Sequence, residues 1–74
     1  MEQLIEYIAK SLVDDPAAVK VQQRRSGSTV ILELRVASQD TGRVIGKGGH
    51  VANAMRTLLR VAASPDQRVI LKIL

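Results

Sequence analysis

The sequence predicts an α+β domain in the order α-β-β-α-α-β, a three-stranded sheet with helices packed on one face. Three features carry that reading. Apolar residues recur at helical spacing over 4–13 and again over 51–62, and apolar and polar residues alternate over 29–36. A turn almost free of side chains, Gly46-Lys47-Gly48-Gly49, separates two helical patterns. The 74 residues make one domain, 46% of them hydrophobic, so the chain is no disordered polypeptide. A domain of this size hides only roughly 60% of the surface that its unfolded chain exposes.

Leu4, Ile5, Ile8, Ala9, Leu12 and Val13 make one face of a first helix. Glu2 and Glu6 stand near its positive end, where carboxylates are favoured. Asp14-Asp15-Pro16 ends it, because a residue before proline avoids the helical region. Val19 and Val21 alternate with Lys20 and Gln22 and predict a strand, followed by a turn at Arg25-Ser26-Gly27-Ser28. In the second strand, Thr29 to Val36, the residues Val30, Leu32, Leu34 and Val36 face one way and Ile31, Glu33 and Arg35 the other. The short connection makes the two strands a hairpin. Ser38 or Asp40 then caps a short helix running to about Ile45. Val51, Met55, Leu58, Leu59 and Ala62 form the apolar side of a last helix ending near Ala63, with Asn53, Arg56 and Arg60 on the wet side. Ser64-Pro65-Asp66 turns the chain into a third strand, Arg68 to Leu74.

Composition excludes several chemistries. Cysteine is absent and His50 is the single histidine, so neither a disulfide framework nor a thiolate or histidine metal cluster is available. No Ser/His/Asp set or carboxylate dyad suggests catalysis, and helix termination accounts for Asp14 and Asp15. The start, Met-Glu-Gln-Leu-Ile-Glu, has no basic leader, and nothing approaches the ~20 apolar residues of a membrane span, which predicts a cytoplasmic protein. The net charge of +4 is uneven: residues 1–15 hold four carboxylates against Lys10, whereas residues 16–74 hold ten basic side chains against three acidic ones. An anionic partner is favoured.

The turn at 46–49 is where that partner fits. Glycines let a polyanion approach the backbone, the helix behind them offers unpaired N–H groups and a partial positive charge, and Lys47 adds a full one. The plainer alternative is a tight helix–helix connection without a ligand. A nucleotide P-loop does not fit, because no Ser or Thr follows Gly46-Lys47, and the dinucleotide fingerprint G-x-G-x-x-G is not matched.

The run Gly42-Arg43-Val44-Ile45-Gly46-Lys47-Gly48-Gly49, continued by Ala52-Asn53-Ala54-Met55-Arg56-Thr57-Leu58-Leu59, resembles the Gly-x-x-Gly signature of a KH domain of the type II arrangement. Over essentially the whole chain it is similar to small bacterial proteins made of one KH domain, the KhpA family. The resemblance implies single-stranded RNA binding without catalysis, metal or cofactor. About four nucleotides of backbone are clamped by the glycine loop, with bases in a narrow apolar groove. It further implies that Gly46 and Gly49 bend the chain, that the N–H groups of Lys47, Gly48 and Gly49 meet phosphates, and that Val44, Ile45 and Val51 floor the groove. Arg43, His50 and Arg56 complete the implied contact set, and the last strand, from about Val69 to Lys72, forms the far wall. Tyr7 is the one aromatic, so stacking on an aromatic platform is not the mode.

Two positions depart from the family pattern: Gly48, where a polar or basic residue is common, and His50, where arginine is frequent. His50 reads equally as a ligand contact and as a solvated helix start. Arg56 and Arg60, one helical turn apart, either follow an RNA backbone or form a solvated face. The resemblance also implies an RNA chaperone or post-transcriptional regulator linked to cell-wall growth and cell shape. It implies a homodimer or a heterocomplex with a larger Jag-type (KhpB) KH protein. The alternative is an assembly module that dimerises through the glycine-turn surface and binds little RNA of its own.

Overall fold

A computed structural model describes all 74 residues. Its elements are α1 (Glu2–Leu12), β1 (Lys20–Ser26), β2 (Thr29–Arg35), α2 (Thr41–Ile45), α3 (His50–Ala62) and β3 (Arg68–Ile73), the order the sequence predicts. Three short 3-10 turns join them: Pro16–Ala18, which the sequence does not predict, Ser38–Asp40, which leads into the short helix, and Lys47–Gly49, which lies within the expected glycine turn. Single turns of this kind connect longer elements without a periodic signal of their own.

The sheet order is β1-β2-β3, with β1 antiparallel and β3 parallel to β2. A parallel neighbour requires a crossover, which α2 and α3 provide. The hairpin loop is shorter than expected: Ser26 still pairs with Thr29, leaving only Gly27 and Ser28 in the turn. Arg25 and Ser26 therefore belong to β1 rather than to the connection.

Strand alternation sends Val30, Leu32 and Leu34 to one face, where all three are fully buried. They meet Ile5 and Ala9 of α1, Val44 of α2, Met55 and Leu59 of α3, Leu71 of β3, and Val19, which precedes β1. The expected apolar faces hold at their centres and thin out at their margins. Leu4 and Leu12 are 37% and 36% exposed. On α3 the buried set is Ala52, Met55 and Leu59, while Leu58 and Ala62 lie exposed. The core is narrow, so one row of residues on each helix suffices to cover it.

The expectation that Ser38 or Asp40 caps the helix before the glycine turn is not met. Neither side chain makes a capping bond. The carboxylate of Asp40 is instead fully buried and faces another segment. The backbone N–H groups of Asp14 and Asp15 donate to its two oxygens at 3.2 and 3.1 Å. Arg43 lies beside it, Nε to Oδ1 at 3.6 Å, and also pairs with Asp14, Nη2 to Oδ2 at 3.1 Å. A buried carboxylate thus ties the exit of α1 to the start of α2. Hydrogen bonds to a charged acceptor contribute more than neutral ones, so Asp40→Ala should destabilise the domain by about 2 kcal/mol. Urea denaturation measures this; a change below about 0.5 kcal/mol would mean that water replaces the carboxylate at little cost.

Candidate nucleic-acid interface

The connection between α2 and α3 is built almost entirely by backbone. The N–H of Gly46 donates to the carbonyl of Gly42 at 2.9 Å and closes α2. Gly46 then takes φ 77°, ψ 167°, a combination open in practice only to glycine. A Cβ there would lie 2.6 Å from Cγ2 and 2.9 Å from the backbone N of Val51. Gly46 is therefore the point at which the turn is pressed against the first residues of α3.

Gly48 and Gly49 are both left-handed, at φ 64° and 80°. The sequence reading placed the bends at Gly46 and Gly49 alone; Gly48 is a third. A Cβ on Gly48 would meet nothing closer than the His50 ring at 3.7 Å, so this position is constrained by conformation and not by space.

The turn commits part of its own hydrogen-bonding capacity. The N–H of Gly49 donates to the carbonyl of Gly46 at 3.1 Å, and the N–H of His50 donates to that of Lys47. The implied phosphate contact from Gly49 N–H is therefore not free as the chain stands. The N–H groups of Lys47 and Gly48 take part in none of the turn, loop and cap bonds. Lys47, Gly48 and His50 are exposed. Behind them α3 runs for 13 residues with its positive end at this turn.

The remaining implied contact residues divide. Ile45, the last residue of α2, is 37% exposed beside the turn, and Val51 is half-buried. Val44 is fully buried in the core, so it supports the turn from beneath and presents no surface to a ligand. Arg43 points its guanidinium at Asp14 and Asp40, which largely neutralises its charge. Arg56, expected on the wet side, is half-buried and bridges two elements. It donates to the carbonyl of Leu71 and to Oδ1 of Asn53, both at 3.3 Å. Arg60, one turn further on, is exposed.

β3 forms one edge of the sheet. The N–H groups of Arg68 and Leu74 donate to Ser28 and Leu34 on the β2 side. By the two-residue period, the backbone N–H and C=O groups of Val69, Leu71 and Ile73 face the open edge next to α3. A strip therefore runs from the glycine turn along α3, with a row of backbone donors and acceptors as its opposite side. The surface depression lined by Met1, Glu2, Gln3 and Glu6 carries two carboxylates and belongs to the start of α1, not to this strip. The sequence marks Asp40 only as a candidate helix cap; its burial, which positions α2, is not visible there. Only its contacts to Asp14 and Asp15, far away in the chain, reveal that role.

Comparison with known proteins bears on this arrangement. The family described as KhpA/KhpB, KH domain, matches residues 2–73. The chain is 48% identical to the RNA-binding protein KhpA of Clostridium acetobutylicum over the full length of both. It is 47% identical to that of Caldanaerobacter subterraneus, again over the whole of both chains. With that of Treponema pallidum it shares 52% identity over 89% of this chain and 82% of the relative. No solved structure gives a significant match. With its α-β-β-α-α-β order, its glycine turn between α2 and α3, and a match along nearly its whole length, this chain belongs to the KhpA/KhpB family of KH-domain proteins.

Proposed function

We propose that the protein binds single-stranded RNA without catalysing a reaction. The observation that carries this is the exposed Lys47-Gly48 tip: its N–H groups are not used in the turn, it carries an ammonium group, and it stands at the positive end of α3. About four nucleotides of backbone pass over that tip, and their bases lie along the strip between α3 and the open edge of β3. Ile45 and Val51 supply aliphatic contact, and the outward backbone groups of β3 read base edges. The relatives named RNA-binding protein KhpA support the same reading. Gly46, Gly48 and Gly49 shape the clamp; Lys47 and His50 touch the phosphates. Arg56 holds the strip's two sides together, and Arg43 and Val44 position the turn from behind.

A clamp of four nucleotides is a weak binder alone, and a second linked copy raises the effective concentration of the next site. An exposed apolar row on α3, Ala54, Leu58, Val61 and Ala62, supports pairing with another KH surface; Val61 is 81% exposed. The row favours a homodimer or a complex with a Jag-type KH protein. It begins more than one helical turn past the glycine turn, and Leu58, Val61 and Ala62 lie beyond two, so pairing through it leaves the clamp open. This differs from a module that dimerises through the glycine turn itself. We read the working protein as a cytoplasmic RNA chaperone or post-transcriptional regulator serving cell-wall growth and cell shape. No helix is long and apolar enough to cross a membrane.

Titration with a short single-stranded RNA across a range of salt tests the clamp. Affinity should fall as salt rises, with a log–log slope of about −0.7 for each phosphate neutralised. Binding that is indifferent to salt would remove phosphate contact from the reading.

A further inference from the structure

The sheet has a second face, opposite the helices, and the charge of the molecule is concentrated there. The strand register puts Lys20, Gln22, Arg24 and Ser26 of β1 on it, with Thr29, Ile31, Glu33 and Arg35 of β2 and Arg68, Ile70 and Lys72 of β3. Five of these are cations and one is a carboxylate. The rest of the chain holds six basic and six acidic side chains, so the whole net charge of +4 resides on this face. Glu33 is occupied by Arg24, with Nε to Oε1 at 3.1 Å. Lys20, Arg35, Arg68 and Lys72 are exposed and make no ion pair. Lys20 and Arg35 are direct cross-strand partners, a like-charge arrangement that disfavours the sheet unless an anion lies between them.

We propose that this open face is a second RNA-binding surface, a phosphate track for strands longer than the four nucleotides held at the glycine turn. The inference rests on the RNA-binding reading of that turn and extends it. β3 joins the two surfaces: its free edge borders the α3 strip, and its outer face carries Arg68 and Lys72. A strand that leaves the strip over the β3 edge arrives directly on those cations. No aromatic residue stands on the face, since the one aromatic, Tyr7, is in α1. The track therefore grips phosphates without stacking on bases, and it is indifferent to sequence.

The test uses the whole protein carrying Lys20→Gln, Arg35→Gln and Arg68→Gln together, with the Arg24–Glu33 pair left intact. The probes are a 4-nucleotide and a 24-nucleotide single-stranded RNA of mixed sequence, and phosphatidylglycerol vesicles. The 24-mer should bind at least tenfold more weakly near 0.1 M salt, with its log–log salt slope shallower by about 2, three lost contacts at ~0.7 each. The 4-mer should bind within twofold of the unaltered protein. An unchanged 24-mer affinity and slope overturns the track, and so does an equal loss for both RNAs. Loss of vesicle binding alone also overturns it and assigns the face to an anionic membrane. A companion variant altered only at the glycine turn separates the two readings. If it binds both RNAs normally while the triple variant loses the 24-mer, the clamp reading fails and the track stands. Should the triple variant unfold, the Nε resonances of Arg35 and Arg68 in the unaltered protein provide the readout. They shift with the 24-mer and not the 4-mer if the track exists, and stay still if it does not.

Discussion

Replacing Lys47 and Gly48 together by aspartate should weaken binding of a four-nucleotide RNA at least a hundredfold while leaving the domain folded. The two changes act on the same few ångströms of backbone. One removes the only ammonium at the tip, and together they put two carboxylates beside the N–H groups to which the proposed interface brings phosphate oxygens. Unlike charges become like charges at contact range, and each factor of ten in affinity needs only about 1.4 kcal/mol. The fold survives because Lys47 is exposed and a Cβ at Gly48 has room, its nearest contact being the His50 ring at 3.7 Å. Gly48 is left-handed, but aspartate is among the residues that tolerate this conformation, at a cost of about 1 kcal/mol. Fluorescence anisotropy with a labelled RNA measures the loss, and circular dichroism verifies the fold. Undiminished binding by a folded variant would remove the turn from the interface altogether.

Gly46→Ala should act on the opposite quantity, lowering stability by about 3 kcal/mol, from strain at a glycine-only conformation and from overpacking. The new Cβ meets a side-chain methyl of Val51 at 2.6 Å and the backbone N of the same residue at 2.9 Å. The methyl can rotate away, but the backbone N is held at the start of α3. The domain has only eleven buried apolar residues, and stabilities of small domains begin near 5 kcal/mol. A loss of this size should lower the melting temperature by about 15 °C. Gly48→Ala is the control, with the same sign of φ and no steric conflict, and it should lose about 1 kcal/mol. Thermal denaturation of the two variants side by side decides the matter. Equal losses would show that the contact with Val51 does not constrain the turn.

Those two glycines also show how much of the molecule was legible in its sequence. Elements that repeat a period were placed well. Val30, Leu32 and Leu34 alternate with Ile31, Glu33 and Arg35 just as a half-buried strand requires, and Ile5, Ile8 and Ala9 mark the buried side of α1. The glycine turn was conspicuous because three glycines and a lysine exceed what a plain connection needs. Its internal division of labour was not, since sequence does not distinguish a glycine required by a neighbouring methyl from one required by φ. The family resemblance implies Val44 as groove floor, and a five-residue helix is too short for its own spacing to show that Val44 faces inward. Asp40 escaped because its partners are backbone N–H groups 25 and 26 residues away, which no local pattern marks. The distribution of charge over the surface was hidden for a related reason. Its excess lies in residues 16–74, the stretch that also holds the glycine turn, yet strand register carries Lys20, Arg24, Arg35, Arg68 and Lys72 to the far side of the sheet.

The guanidinium of Arg56 on the carbonyl of Leu71 bears on what else this protein will adhere to. A bare sheet margin is a template on which any extended polypeptide adds itself, the route by which small β-containing domains polymerise. Here the central outward oxygen of that margin is already taken, so an invading peptide must evict an arginine before its ladder can zip. A nucleobase, which needs only one or two isolated polar groups, meets no such obstacle. One side chain thus disfavours strand addition at this margin and leaves the outward groups of Val69 and Ile73 for the nucleotides of the proposed interface.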